Sequence, residues 1–177
     1  KYVCDNGYIV PKREDYFGFD LPLKTQEFIR ALYMMAGSPD VSSLSPEGFD
    51  VQILVGDEYL PSAMWALKNG IVEKPAEAFN GNVVIDRLTA SMIMENYAEY
   101  RGADMPETDD KFFLGMWKGH VREFTEDEVH AVLFAFYGQL LRGDGTPDSA
   151  LDMSRRVLSR MDSAELLYHY ELYFNKK

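Results

Sequence analysis

The sequence has one cysteine, no long apolar run and few basic residues. Cys4 is the single cysteine, so no intrachain disulfide can form and the fold must rest on packing. It contains no run of about eighteen apolar residues, which a membrane-spanning helix requires. The 18 Lys and Arg residues are outnumbered by 29 Asp and Glu residues, giving a net charge of -11. This charge disfavours nucleic acid as a partner, because nucleic-acid-binding proteins are generally basic.

Recognisable motifs for catalysis and metal binding are also missing. His130 lies four residues after Glu126 and would share a helix face with it, yet no third ligand follows at a zinc-site spacing. The acidic residues in the stretch 143–152 do not follow the alternating ligand pattern of a calcium loop. We therefore predict a non-enzymatic protein with no cofactor and no metal. A helical enzyme that uses Glu126 and His130 is kept as a third hypothesis.

The sequence is rich in helical periodicity interrupted by glycine. Apolar residues at a 3.6-residue period predict helices that begin near Thr25, Leu60 and Ile85, and glycines at 37, 70 and 102 end them. Thr125 and Glu128 form a capping box that opens another helix, running to about residue 142. Two further helices are predicted at 148–161 and 163–174, and residues 49–55 are predicted to be a short strand or an extended segment.

The helix ends recur along the chain in a repeated order. Asn6-Gly7 and Asn69-Gly70 each close a helix, and Gly37 and Gly102 each close the helix that follows. Self-similarity of this kind is typical of proteins built from repeated supersecondary units. The sequence therefore predicts a small array of helical hairpins.

Four stretches follow the order of a known repeat unit. FDV (49–51), YLPSAMWALKNGIV (59–72) and IDRLTASMIMENYAEYRG (85–102) occur in sequence, and KTQEFIRALYMMAGSP (24–39) matches the helix of a preceding copy. They resemble the S-layer homology (SLH) domains, which anchor proteins to the cell walls of many bacteria. The resemblance covers most of residues 1–102 and only loosely residues 111–161, and residues 162–177 lie outside it.

The resemblance implies an all-α fold of three SLH-like helical hairpin repeats around a pseudo-threefold bundle, with an extra C-terminal helix. Residues 1–177 then form a single array. Its expected parts are a partial first repeat at 1–40, a second repeat at 41–104, a divergent third repeat at 111–161 and a C-terminal helix at 162–177.

The resemblance also implies candidate site residues. In SLH domains, the arginine of a TRAE motif at the head of a helix is commonly part of the site for an anionic, often pyruvylated, cell-wall polysaccharide. The aligned dipeptides are Lys24-Thr25, Asp86-Arg87 and Ala150-Leu151, so only Arg87 keeps the guanidinium, whose fork of donors holds a carboxylate bidentately. The predicted ligand-binding residues are Arg87, Asp86, Lys24, Thr25 and Trp65.

Two of these residues also have ordinary structural interpretations. Arg87 could instead form a surface ion pair with Asp86 or Glu95. For Trp65, burial between helices is favoured over ligand contact, because tryptophan is highly buried on average.

The implied function is a secreted, non-enzymatic module on a bacterial cell surface or cell wall that binds anionic secondary cell-wall polysaccharide. The alternative is an SLH-derived helical scaffold that serves as a protein-protein interaction module and has lost the sugar site. Neither hypothesis involves nucleic acid or membrane insertion. The chain begins at Lys1 without an initiator methionine, which we interpret as a sign of processing or of an excised fragment.

Overall fold

The computed structural model describes residues 1–73, 75, 77–106, 124–141 and 154–174. Within these ranges the chain forms six α-helices and one two-stranded parallel sheet. The elements are α1 (Tyr2–Asp5), α2 (Thr25–Met35), β1 (Gln52–Leu54), α3 (Leu60–Lys68), β2 (Ala78–Asn80), α4 (Arg87–Tyr100), α5 (Glu126–Tyr137) and α6 (Arg160–Phe174).

The glycine signals end the helices as the sequence predicts. Gly37, Gly70 and Gly102 follow α2, α3 and α4, and all have positive φ angles, which glycine adopts without the steric cost that a Cβ would bring. After Gly70 the chain folds back, and the N–H of Ile71 donates to the carbonyl of Ala66 at 2.9 Å. Ile71 is fully buried as a result, so the glycine places the next apolar side chain in the core.

The predicted all-α class is wrong, because β1 and β2 pair in parallel. Ile53 lies opposite Phe79 in the pair, and α3 forms the crossover connection that parallel strands need. The sequence allowed a strand at 49–55 but gave no partner for it at 78–80. The described helices also form no clear three-repeat bundle, so the predicted pseudo-threefold bundle of hairpins is wrong as well.

Two predicted helix boundaries near the C-terminus also need correction. The helix predicted at 148–161 is wrong over its described part, since residues 154–159 form a turn and an extended piece before α6 begins at Arg160. Residues 142–153 lie outside the described ranges. The helix α5 ends at Tyr137, short of the predicted end near residue 142. The repeat boundaries at 1–40, 41–104, 111–161 and 162–177 stay predictions.

The chain divides into two compact units. Unit 1 comprises Lys1–Ile85 and Val157–Ala164, and unit 2 comprises Asp86–Arg156 and Glu165–Lys177. Among the described residues, no helix is both long enough and apolar enough to cross a membrane.

Each unit has its own helical core. In unit 1, α2 packs on α3, and the ring of Tyr33 meets the ring of Trp65 edge to face with centroids 5.5 Å apart. In unit 2, α4 packs on α5, where the buried residues Leu88, Val129, Val132 and Leu133 form a cluster. The C-terminal part of α6 adds aromatic contacts in unit 2, including Tyr170 against Tyr97 at 5.2 Å.

Three buried residues of unit 1 form a closed ring of main-chain hydrogen bonds. The N–H of Leu23 donates to the carbonyl of Leu158 at 3.2 Å, that of Leu158 to Ile85 at 2.9 Å, and that of Ile85 to Leu23 at 3.0 Å. All three side chains are at most 1% exposed. Each residue lies two positions before the start of a helix, so the ring fixes the chain just ahead of α2, α4 and α6. We call these residues the central triad.

Candidate functional site

Each residue of the central triad belongs to a five-residue segment that ends on the first residue of a helix. The first, second and third opening segments are residues 21–25, 83–87 and 156–160. In unit 1, the N–H of Thr25 donates to the carbonyl of Val83 at 2.9 Å, and the N–H of Arg160 donates to the carbonyl of Leu21 at 2.8 Å. The first helical residue of one segment thus bonds to the first residue of another.

The same type of bond occurs in the described part of unit 2. The N–H of Arg87 donates to the carbonyl of Arg156 at 2.9 Å. By this pattern Thr25, Arg87 and Arg160 hold equivalent positions. The third equivalent dipeptide is therefore Ser159-Arg160, whereas the sequence alignment gave Ala150-Leu151, which lies outside the described residues.

The first opening segment offers little to a ligand. Thr25 is buried, and its hydroxyl donates to the carbonyl of Val83 at 3.2 Å. Lys24 is exposed, and its Nζ donates to Oδ1 of Asn82 at 3.3 Å. The Lys24 N–H donates to Oε2 of Glu27 at 3.0 Å, which satisfies a main-chain donor at the start of α2. Of the two predicted residues, only the Lys24 ammonium reaches solvent.

The second opening segment contains a conventional helix cap followed by an arginine. Asp86 is the N-cap of α4, and its Oδ1 accepts a hydrogen bond from the N–H of Thr89 at 2.7 Å. Arg87 is the first residue of α4 and is partly exposed. An arginine at this end does not help the helix, because the helix N-terminus carries partial positive charge. The Asp86 carboxylate thus caps α4, whereas the Arg87 guanidinium does not stabilise the start of this helix.

Two further arginines belong to the same part of unit 2. Arg156 is exposed, and no side-chain hydrogen bond or ion pair involves it within the described ranges. Arg155 is held by Glu128, with Nη2 3.3 Å from Oε1, and its guanidinium lies over the ring of Phe124 at 5.0 Å. Arg87 and Arg156 are therefore neighbours through their main chains at the start of α4, where Arg87 is partly exposed and Arg156 is exposed.

The arginine of the third opening segment is fully buried. Arg160 has no exposed surface, and its Nε donates to the carbonyl of Phe17 at 2.9 Å. Its Nη1 lies 3.1 Å from Oε1 of Glu27, and its Nη2 donates to the carbonyl of Val10. The guanidinium also lies over the ring of Phe17 at 5.1 Å. These contacts leave the guanidinium no access to an external ligand.

Glu27 is the acidic partner of this buried arginine. Its Oε1 also accepts from Nζ of Lys12 at 3.1 Å. Burial raises the pKa of Glu27, but the hydrogen bond from the Lys24 N–H and the charges of Lys12 and Arg160 lower it by more. The net result is a pKa below the ordinary value of 4.5, so Glu27 is ionised near neutral pH.

Trp65 is a core residue of unit 1. Its side chain is buried, and its ring packs on Tyr33. Its carbonyl accepts from both the N–H and the side-chain amide of Asn69, at 3.1 and 2.8 Å, at the end of α3. These contacts agree with burial between helices, the interpretation that the sequence favoured, and leave little surface for a sugar.

The residues of the enzyme hypothesis have different partners from those expected. Nδ1 of His130 is in hydrogen-bond contact with the Glu95 carboxylate of α4, whereas Glu126 is exposed in the first turn of α5. Within the described part of the chain, no three His, Cys, Asp or Glu side chains are grouped to hold a metal ion. The His130–Glu95 pair therefore links two helices of the unit 2 core.

Sequence reasoning missed both Arg156 and Arg160. The sequence signal for Arg160 is the order of residues in Leu158-Ser159-Arg160-Met161-Asp162. An apolar residue is followed by a cap residue, and an acidic residue occupies the third helical position. The same order occurs in Leu23-Lys24-Thr25-Gln26-Glu27, and Asp162 Oδ2 does accept from the N–H of Ser159 at 3.1 Å. Arg156 has no such signal, because only the main-chain bond to Arg87 identifies it.

Comparisons with known proteins give no family assignment. No protein-family model matches the chain, and no curated protein matches it either. The SLH resemblance therefore rests on the quoted motifs alone.

Proposed function

We propose that this protein is a non-enzymatic module that binds an anionic secondary cell-wall polysaccharide on a bacterial surface, using Arg87 and Arg156. The main support is the position of these two arginines in unit 2, joined by the 2.9 Å bond from the Arg87 N–H to the Arg156 carbonyl. Both side chains have solvent access at the start of α4. The SLH motifs supply the ligand class, which is a sugar that carries a carboxylate.

The chemistry of guanidinium groups suits such a ligand. A guanidinium presents paired N–H donors that match the two oxygens of a carboxylate, and charge-assisted hydrogen bonds of this kind are stronger than neutral ones. The partial positive charge at the start of α4 adds to the attraction. The whole chain has a net charge of -11, so long-range attraction of a polyanion is unfavourable. Recognition must therefore come from short-range contacts.

The proposal assigns the main site to Arg87 and Arg156 of unit 2. Thr25 is uncharged and buried, and the Arg160 guanidinium is buried, so neither position presents a charge to the solvent. Lys24 remains a predicted contributor, because its ammonium is exposed beside Asn82. Asp86 stabilises α4 as its N-cap, and Trp65 stabilises the core of unit 1.

Co-sedimentation of the purified chain with isolated bacterial cell walls tests the proposal. We expect Arg87→Ala to weaken retention about tenfold or more, because hydrogen bonds to charged groups contribute about 1.5–3 kcal/mol each. Arg156→Ala should weaken it in the same direction. Arg30→Ala is the matched control, since Arg30 is also a partly exposed arginine but lies on α2 in unit 1. Unchanged retention of Arg87→Ala would remove the assigned role of that residue.

A second candidate function is a protein-protein interaction module. It is favoured by exposed apolar side chains near the central triad in unit 1, namely Phe19, Leu21, Val83, Val84, Val157 and Met161. Contiguous exposed apolar surface often marks an interaction site. In that case Val83→Lys would abolish binding of the partner protein, whereas Arg87→Ala would leave that binding unchanged. Cell walls would not retain the chain.

A further inference from the structure

Residues 9–23, which precede α2, are held to the rest of unit 1 in two different ways. Ile9 and Leu23 are buried at the two ends of this segment. Its second half is fixed by main-chain bonds, because the N–H of Met161 donates to the carbonyl of Phe19 and that of Arg160 donates to the carbonyl of Leu21. This half is therefore part of the pattern around the central triad.

The first half, residues 10–17, depends mainly on side chains. Two Arg160 N–H groups donate to the carbonyls of Val10 and Phe17, and the Phe17 ring covers the guanidinium face. A second link is the Lys12–Glu27 ion pair at 3.1 Å. One buried arginine therefore makes the contacts at both ends of this stretch.

We infer that residues 10–17 form a strap that closes over Arg160 and keeps its guanidinium from an acidic ligand. The strap supplies what a ligand would otherwise supply, which is two oxygen acceptors for the guanidinium. Glu27 supplies a third acceptor from α2. With the strap closed, all three guanidinium nitrogens have partners and Arg160 has no exposed surface.

The strap has the features of a segment that opens locally. Residues 12–16 are exposed, and the two main-chain bonds between Arg13 and Tyr16, both 3.1 Å, lie within the strap. They move with it and do not tie it to the rest of unit 1. Segments with few buried apolar contacts open at a lower free energy than helices in a core. Release of residues 10–17 can therefore leave the central triad and α2 intact.

Opening of the strap would expose the positive charge of Arg160. The Arg160 guanidinium would lose its two carbonyl partners and its aromatic cover, and would become accessible beside Glu27. Arg160 would then resemble Arg87, at the equivalent position of the second segment. This consequence for ligand binding rests on the proposed function, whereas the opening itself does not.

Proteolysis by a glutamate-specific protease under native conditions tests the strap. Glu14 is exposed in the middle of the strap, and cleavage there reports the open population when opening and closing are fast relative to cleavage. In Arg160→Lys we expect cleavage at Glu14 to become about tenfold faster or more. A lysine keeps a positive charge near Glu27, but its point charge lacks the planar fork of donors that reaches both carbonyls.

Arg156→Lys is the matched control and should leave the cleavage rate unchanged, because Arg156 is an exposed arginine that belongs to unit 2. Equal cleavage rates in Arg160→Lys and in the unaltered chain would overturn the inference. Neither measurement uses a ligand, so failure of the proposed function in the cell-wall assay remains a separate result.

Native-state hydrogen exchange on the unaltered chain is a second test that does not depend on a variant folding. The Nε–H of Arg160, which donates to the carbonyl of Phe17 at 2.9 Å, should exchange through local opening, with a protection factor at least tenfold lower than those of the amides in the middle of α2. If this N–H exchanges only with global unfolding, with the same protection factor as those α2 amides, the strap does not open by itself and the inference fails.

Discussion

Arginine side chains have three different environments at the opening segments. Arg160 is buried and fully hydrogen bonded, Arg87 is partly exposed at a helix start, and Arg156 is exposed. Residue type alone therefore does not identify a ligand contact. The partners decide the role, because a guanidinium that already donates to two carbonyls and a carboxylate has little left to offer an external anion.

Glu27 should make stability depend on pH. Its pKa is lowered in the folded state from an ordinary value of 4.5, so its contribution is present above that value and is lost as the pH falls through the folded-state pKa. Glu27→Gln should lower the free energy of unfolding by about 3 kcal/mol at pH 7, because it leaves the buried Arg160 without its counter-charge.

Urea unfolding of both chains between pH 7 and pH 3 measures this effect. The difference between the unaltered chain and Glu27→Gln should shrink below pH 4.5, since the protonated carboxyl then resembles the amide. Glu73→Gln, at an exposed position, should have little effect at any pH. A difference as large at pH 3 as at pH 7 would contradict the role of the Glu27 charge.

At the scale of elements, the sequence predicted the helix boundaries where caps and glycines mark them. The predicted starts of α2 and α3, at Thr25 and Leu60, are confirmed, and Gly70 ends α3. The strands were a different case, because three residues are too few for an alternating pattern to be recognised. The partner strand β2 has the sequence AFN, which carries no clear strand signal by itself.

Gly81 should be necessary where the chain leaves β2. A Cβ built there would lie 2.7 Å from Cγ1 of Val55 and 2.9 Å from Cβ of Gln26, which is closer than atoms pack in a core. Gly81→Ala should therefore lower the free energy of unfolding by about 1–3 kcal/mol, the usual cost of overpacking.

Gly48→Ala is the control for this substitution, because a Cβ at Gly48 meets no atom within 4 Å. Thermal and urea unfolding of the two variants give the comparison. If Gly81→Ala is as stable as Gly48→Ala, the close approach of Gln26 and Val55 to Gly81 is not a constraint on the fold.

Asp86 should act as a helix cap and contribute to stability through α4. Asp86→Ala removes the acceptor of the Thr89 N–H and should lower the free energy of unfolding by about 1 kcal/mol. Asp86→Asn keeps an acceptor at the same place and should be close to the unaltered chain. Asp104→Ala, at an exposed position outside the helices, is the control. If Asp86→Asn is as destabilised as Asp86→Ala, the Asp86 charge has a role beyond the cap.

At the scale of the whole molecule, the sequence could not predict which distant segments meet. Leu158 bonds to both Leu23 and Ile85, and Arg160 bonds to Phe17 and Val10, across most of the length of the chain. Local periodicity contains no information about such contacts. Without them the third dipeptide was aligned at Ala150-Leu151, and the buried arginine of the third segment was missed. The candidate site was predicted in part, because Arg87 was singled out but Arg156 was not.

The two units also set the limits of the functional proposal. Arg87 and Arg156 both belong to unit 2, and the strap with Arg160 belongs to unit 1. The proposed polysaccharide site and the strap can therefore be tested by separate substitutions.

Calorimetric titration with a purified, pyruvylated cell-wall polysaccharide tests the central claim most directly. The same polymer after removal of its pyruvyl carboxylates is the comparison. We predict that the unaltered chain binds the intact polymer at least about tenfold more tightly than the depyruvylated one, as expected for the loss of one charge-assisted hydrogen-bonded pair, and that Arg87→Ala removes this preference. Equal affinity for the two polymers, or no binding to either, would contradict the claim that Arg87 and Arg156 recognise an acidic sugar.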